Sequence, residues 1–203
     1  MEEFDYQKCD ERIDKLRRDA VVEIWAERGF EGVTKLLANS AGSGSAGTVG
    51  HYAALCVTGV TSRVDFIRRC LSLNGDLRSK AERCLQDLLL AIDDDLRARV
   101  LQAATEEVPA EELTRSFVCA PFQASTWRLL DGYGEDIRAR YWKGVFPFWC
   151  RHTPAEFTEL IDCLLDVRRP RAAFHAVHMD FKDIETFHLK RLLRIDLFLL
   201  ITL

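Results

Sequence analysis

Most signatures that would name a chemistry are missing from these 203 residues. No Gly-x-x-x-x-Gly-Lys-Ser/Thr run is present, so no P-loop wraps the phosphates of a nucleotide. The glycine-rich stretch 42–50 lacks a preceding strand and a suitably placed lysine, so it is not read as a phosphate cradle. No His-Glu-x-x-His or His-x-x-Glu-His pair occurs, and no aspartate spacing matches a calcium loop. The seven cysteines (Cys9, Cys56, Cys70, Cys84, Cys119, Cys150, Cys163) are odd in number and never stand at Cys-x-x-Cys spacing. They read as small buried hydrophobes of a reducing compartment. The start, Met1-Glu2-Glu3-Phe4-Asp5, is acidic and has no apolar run, so no secretory signal is expected. The longest strongly apolar stretch is Leu197 to Leu203, broken only by Thr202. It is far too short for roughly 30 Å of hydrocarbon. A soluble, cytoplasmic chain with no membrane partner is expected. Valines and threonines are scattered, so no run alternates as a strand would.

What is present is a globular balance, 48% apolar and 30% charged, which excludes a disordered chain. The net charge of −4, from 28 basic and 32 acidic residues, gives no general field for nucleic acid. The dominant period is helical. Tyr6, Cys9, Ile13, Leu16, Ala20, Ile24 and Trp25 recur at three- and four-residue steps as the inner stripe of a first helix, which Gly29 stops. Glu31 to Ala38 makes a short second helix. Residues 39–47, NSAGSGSAG, read as a flexible glycine/serine loop inside one domain over 1–203. Further helices follow, with Thr61 or Ser62, Asp93 to Asp95 and Pro109 at their starts. The strongest local signature is Thr153-Pro154-Ala155-Glu156: a capping threonine, a proline in the first turn and a glutamate that closes a capping box. A last helix runs from Asp183 to Leu199.

The sum is about twelve helices of roughly eight to twenty residues with short connections. The expected fold is all-α, antiparallel helix pairs stacked as a short α-solenoid rather than a bundle of a few long rods. Segments 134–168 and 170–201 each hold two helices, the size of a paired-helix repeat. Cys56, Cys70 and Cys84 stand fourteen apart, which is either a shared seam or coincidence.

Two stretches carry a family likeness: Asp131 to Trp142, DGYGEDIRARYW, and Leu164 to His178, LLDVRRPRAAFHAVH. They resemble the helical-repeat regions of large bacterial multidomain proteins. In particular they resemble the repeats behind the ATPase module of signal-transducing NTPases, some of which belong to phage-defence systems. Ala26 to Val33, followed by Val49-Gly50, is similar to a HEAT-like helix pair. The likeness covers about half the chain and lies in packing motifs. It implies a HEAT- or TPR-like scaffold or sensor without catalytic motifs, as a piece of a larger protein or a short stand-alone relative.

Candidate sites are few. Arg168, Arg169 and Arg171, with Lys190, Arg191 and Arg194, form two basic sets that would grip an acidic partner or a phosphate backbone if they shared a face. Arg63, Arg68 and Arg69 form another set. Trp142, Trp149, Leu197, Phe198, Leu200 and Ile201 are candidate interface residues, because the last helix is apolar nearly all round. It would dock on a protein partner or a second copy. His175 and His178 are weak zinc candidates, with His152, Cys163 or His188 completing the set. A helical hydrolase using these histidines, or Cys150 with His152, is the remaining alternative. No cofactor is expected. The leading expectation is a non-catalytic protein-interaction segment.

Overall fold

Short connections, among them residues 40–42 and those holding Gly59, Gly75 and Gly134, divide a helical pattern into ten helices and no strand among residues 6–145 and 153–179, which the computed structural model describes. In order they are α1 (Tyr6–Asn39), α2 (Ser43–Cys56), α3 (Val60–Ser72), α4 (Asp76–Ala91), α5 (Asp94–Glu107), α6 (Ala110–Cys119), α7 (Ala124–Asp131), α8 (Glu135–Gly144), α9 (Pro154–Asp166) and α10 (Pro170–Met179). The all-α class agrees with the sequence. The expected helix at 183–199 lies outside the described residues. Contacts gather the chain into two compact units, Met1–Ala120 and Pro121–Leu203.

Helix ends follow local chemistry. Gly29 sits at φ 54° and ψ −139°, a conformation closed to most L-residues, so it kinks α1 and the expected short helix becomes the second arm. The Asp93 side chain accepts from the Leu96 N–H at 2.8 Å and starts α5. Thr153 and Glu156 form the expected reciprocal capping box at the start of α9. Thr61 and Ser62 are not caps: α3 begins at Val60, and Gly59 supplies the entry at φ 79°. Neither side chain can cap once its own backbone is inside the first turn.

The larger correction concerns residues 39–47. Only residues 40–42 lie outside helix; from Ser43 the glycine- and serine-rich stretch is α2. Its small residues are a packing surface. Ala46, Gly47, Val49, Gly50, Ala53 and Ala54 are buried. A Cβ on Gly50 would fall on the main-chain carbonyl of Cys84, and one on Gly47 would meet the Asp87 carboxylate. Poor helix formers are tolerated because their lack of bulk lets α4 approach closely and tertiary packing outweighs propensity.

This closeness exposes a repeat. α2 packs on α4 and α3 packs on α5, so the pair α2–α3 meets the pair α4–α5 like on like. Burial recurs at a step of 35 along the first helices: Ala46, Val49, Ala53, Ala54 and Val57 match Ala81, Cys84, Leu88, Leu89 and Ile92. It recurs at a step of 34 along the second helices: Arg63, Phe66, Ile67 and Cys70 match Arg97, Val100, Leu101 and Ala104. Repeat-like packing thus spans residues 46–104; the expected layout of 134–168 and 170–201 lies partly outside the described residues. Within the second unit, Phe122, Trp127, Tyr141 and Trp142 form an aromatic core. The Trp127 indole N–H donates to the Tyr141 hydroxyl at 3.2 Å.

Candidate interaction surface

The last carbonyls of a helix lack intrahelical partners, and here cations from other segments supply them. Arg97, 4% exposed, donates to the carbonyls of Leu89 and Ile92 at the end of α4, each at 2.8 Å, and to Asp94 at 2.7 Å. Its repeat equivalent Arg63 donates to the Ala54 carbonyl at 3.1 Å at the end of α2, and burial lowers its pKa. Arg115 reaches the Leu71 carbonyl of α3 at 3.0 Å while pairing with Glu82. Lys80 takes the carbonyls of Ala38 and Ser40. Arg169 repeats the Arg97 pattern in the second unit, on the carbonyls of Trp142 and Val145. These cations tie one helix to another.

This use bears on the basic sets. Arg63 is buried, and Arg68 and Arg69 both pair with Asp65, at 2.6 and 2.7 Å. The Arg68 hydrogen bond leads in holding the Asp65 carboxyl below its ordinary range. Arg169 is half-buried on its two carbonyls; Arg168 and Arg171 are exposed. Arg168 occupies the left-handed position after α9, at φ 60°. Its N–H meets the Leu165 carbonyl, and the Arg169 N–H meets that of Leu164. That pair of bonds is a Schellman motif built on arginine in place of glycine. Lys190, Arg191 and Arg194 lie outside the described residues.

Trp142 is buried in the aromatic core, while Trp149, Leu197, Phe198, Leu200 and Ile201 fall outside the described residues. His175 and His178 stand three apart on α10. Among the described residues no group of three His, Cys, Asp or Glu side chains is placed to hold a metal ion. Cys70 and Cys84 are both buried and interact electrostatically, and Cys119 and not Cys56 joins them. Burial raises the Cys70 thiol well above its ordinary range and pushes Cys119 up to about 12, so both are inert hydrophobes at neutral pH.

No family model, curated protein or solved structure matches this chain. Among the described residues, no helix is long and apolar enough to cross a membrane.

The surface feature that follows the repeat is apolar. Leu55 near the end of α2 is 58% exposed, and Leu90 near the end of α4 is 61% exposed. They stand 35 residues apart, in register with the buried positions. His51 is also exposed, one turn before Leu55. Phe174 on α10 is 57% exposed. Sequence periodicity alone misses Leu55 and Leu90, because an apolar residue inside an apolar run reads as core. What relates them is the step of 35 shared with the buried pairs of α2 and α4, such as Ala54 and Leu89.

Proposed function

We propose that the chain is a non-catalytic helical-repeat scaffold that binds a protein partner. The observation that carries this is the repeated pair Leu55 and Leu90, two large apolar side chains held in solvent at equivalent places on helices packed side by side. A leucine ladder raised by a rigid stack suits an amphipathic helix or extended segment of a partner, since the scaffold's own ordering is already complete. The α2–α3 and α4–α5 stack supports reading the fold as a short α-solenoid. The basic sets support a phosphate-binding reading less well, because Arg63 and Arg169 serve carbonyls and Arg68 and Arg69 serve Asp65. The likeness of residues 131–142 and 164–178 to the repeats of bacterial signal-transducing NTPases extends the proposal: the partner would be an effector or ATPase module, in a defence setting.

Quantitative affinity enrichment tests this reading, with the wild type compared against Leu55→Asp/Leu90→Asp. Both sites are exposed, so the double variant should melt with the wild type while losing at least one reproducible partner. Unchanged enrichment would refute the ladder. A labelled oligonucleotide bound tightly, with steep salt dependence, would move the assignment to nucleic acid.

A further inference from the structure

The first arm of α1 carries an apolar stripe that the fold does not use. The stripe is Cys9, Ile13, Leu16 and Ala20, spaced four, three and four as in a heptad seam. Its central members are exposed, Ile13 at 39% and Leu16 at 62%. α1 lies against α2 by another face: Val21 is buried and Asp14 accepts a hydrogen bond from the Tyr52 hydroxyl. Positions 14 and 21 are one heptad apart and roughly 130° around the helix from the stripe. The expectation that Ile13 and Leu16 face inward is thus corrected, whereas Trp25 of the same expected stripe does pack on buried Phe66.

Charges flanking the stripe say what covers it. Asp10 and Arg17 border one side, Arg12 and Asp19 the other, and all four are exposed. In a parallel pair of α1 helices, Arg12 would face Arg17 of the other copy. In an antiparallel pair, with Ile13 opposite Leu16 and Cys9 opposite Ala20, Asp10 meets Arg17 and Arg12 meets Asp19. Two-fold symmetry doubles this to four opposite-charge pairs and no like-charge pair among these positions. Asp19 also lies 3.5 Å from Arg18 of its own helix, an exposed pair that leaves its carboxylate accessible. The helix is already held on α2 by buried Val21 and the bond from Tyr52 to Asp14, so pairing does not have to nucleate it.

We infer that this face binds a second copy of the chain, α1 against α1, antiparallel. The inference rests on α1 alone and is independent of the leucine ladder.

Sedimentation of the full chain at tens of micromolar tests it. A dimer is expected. Leu16→Glu should weaken it at least about tenfold with unchanged helicity, because a carboxylate enters an apolar seam. Arg12→Asp and Asp19→Arg should each weaken it about tenfold at low salt, and the double variant should restore it. A monomer at these concentrations overturns the inference. So does a dimer indifferent to Leu16→Glu. A dimer that Arg12→Asp tightens overturns it too, since the new carboxylate then meets Arg17 and the pairing is parallel.

Discussion

Replacing a helical glycine by alanine ordinarily stabilises a protein, and α2 offers a case where the sign should reverse. Gly44 and Gly50 stand in the same helix. A Cβ at Gly44 meets nothing within 4 Å, whereas one at Gly50 lands on the backbone of Cys84. A flexible side chain would rotate away; a carbonyl inside α4 cannot. The helices must part by roughly an ångström or more, loosening Val49 and Ala53 against Cys84 and Leu88 at the same time. Helix propensity contributes up to about 0.5–1 kcal/mol in favour of either alanine. Overpacking against fixed backbone costs about 1–3 kcal/mol or more. Gly50→Ala should therefore destabilise the first unit by about 1–2 kcal/mol, and Gly44→Ala should leave it level or slightly more stable. Urea unfolding followed by circular dichroism reads both. A Gly50→Ala protein as stable as Gly44→Ala would refute the close approach of α2 and α4.

The remaining expectations use the same assay. Arg97→Ala removes three bonds and leaves two helix-end carbonyls buried, so it should cost about 3 kcal/mol; Arg63→Ala, with one bond to lose, about 1 kcal/mol. Arg97→Lys should recover little, because one ammonium cannot span both carbonyls. Arg168→Gly should stabilise the second unit by about 1 kcal/mol, by relieving a left-handed arginine. Alkaline pH supplies a fourth test. Burial raises the Cys119 thiol from an ordinary 9.0 to about 12, so the folded state keeps a proton that the unfolded chain releases. The stability is full below pH 9.0 and falls as pH rises toward about 12, by roughly 1.4 kcal/mol per pH unit for that thiol. Cys119→Ala should show a shallower alkaline decline.

The all-α class, the kink at Gly29, the Asp93 cap and the Thr153 capping box were legible because each depends on a few neighbouring residues. What was hidden depends on residues far apart in sequence. Gly47 and Gly50 look like linker until α4 is seen to need their missing side chains. Ile13 and Leu16 make a sound inward stripe, yet the helix packs by Asp14 and Val21 because Tyr52 stands there. Arginines written as clusters go separate ways, Arg63 and Arg169 to carbonyls and Arg68 and Arg69 to Asp65, since side-chain reach and not sequence adjacency decides a partner. The repeat escaped because Ala53 and Ala54 of α2 answer Leu88 and Leu89 of α4 and Val49 answers Cys84; few pairs, such as Ala46 with Ala81, Leu55 with Leu90 and Arg63 with Arg97, match in kind.

The central claim is that Leu55 and Leu90 act as one surface. A photo-crosslinking residue placed at 55, and separately at 90, should mark the same partner protein in cells. Aspartate at either site should erase the crosslink formed from the other. Two unrelated partners, or a crosslink from 55 that survives Leu90→Asp, would contradict the account.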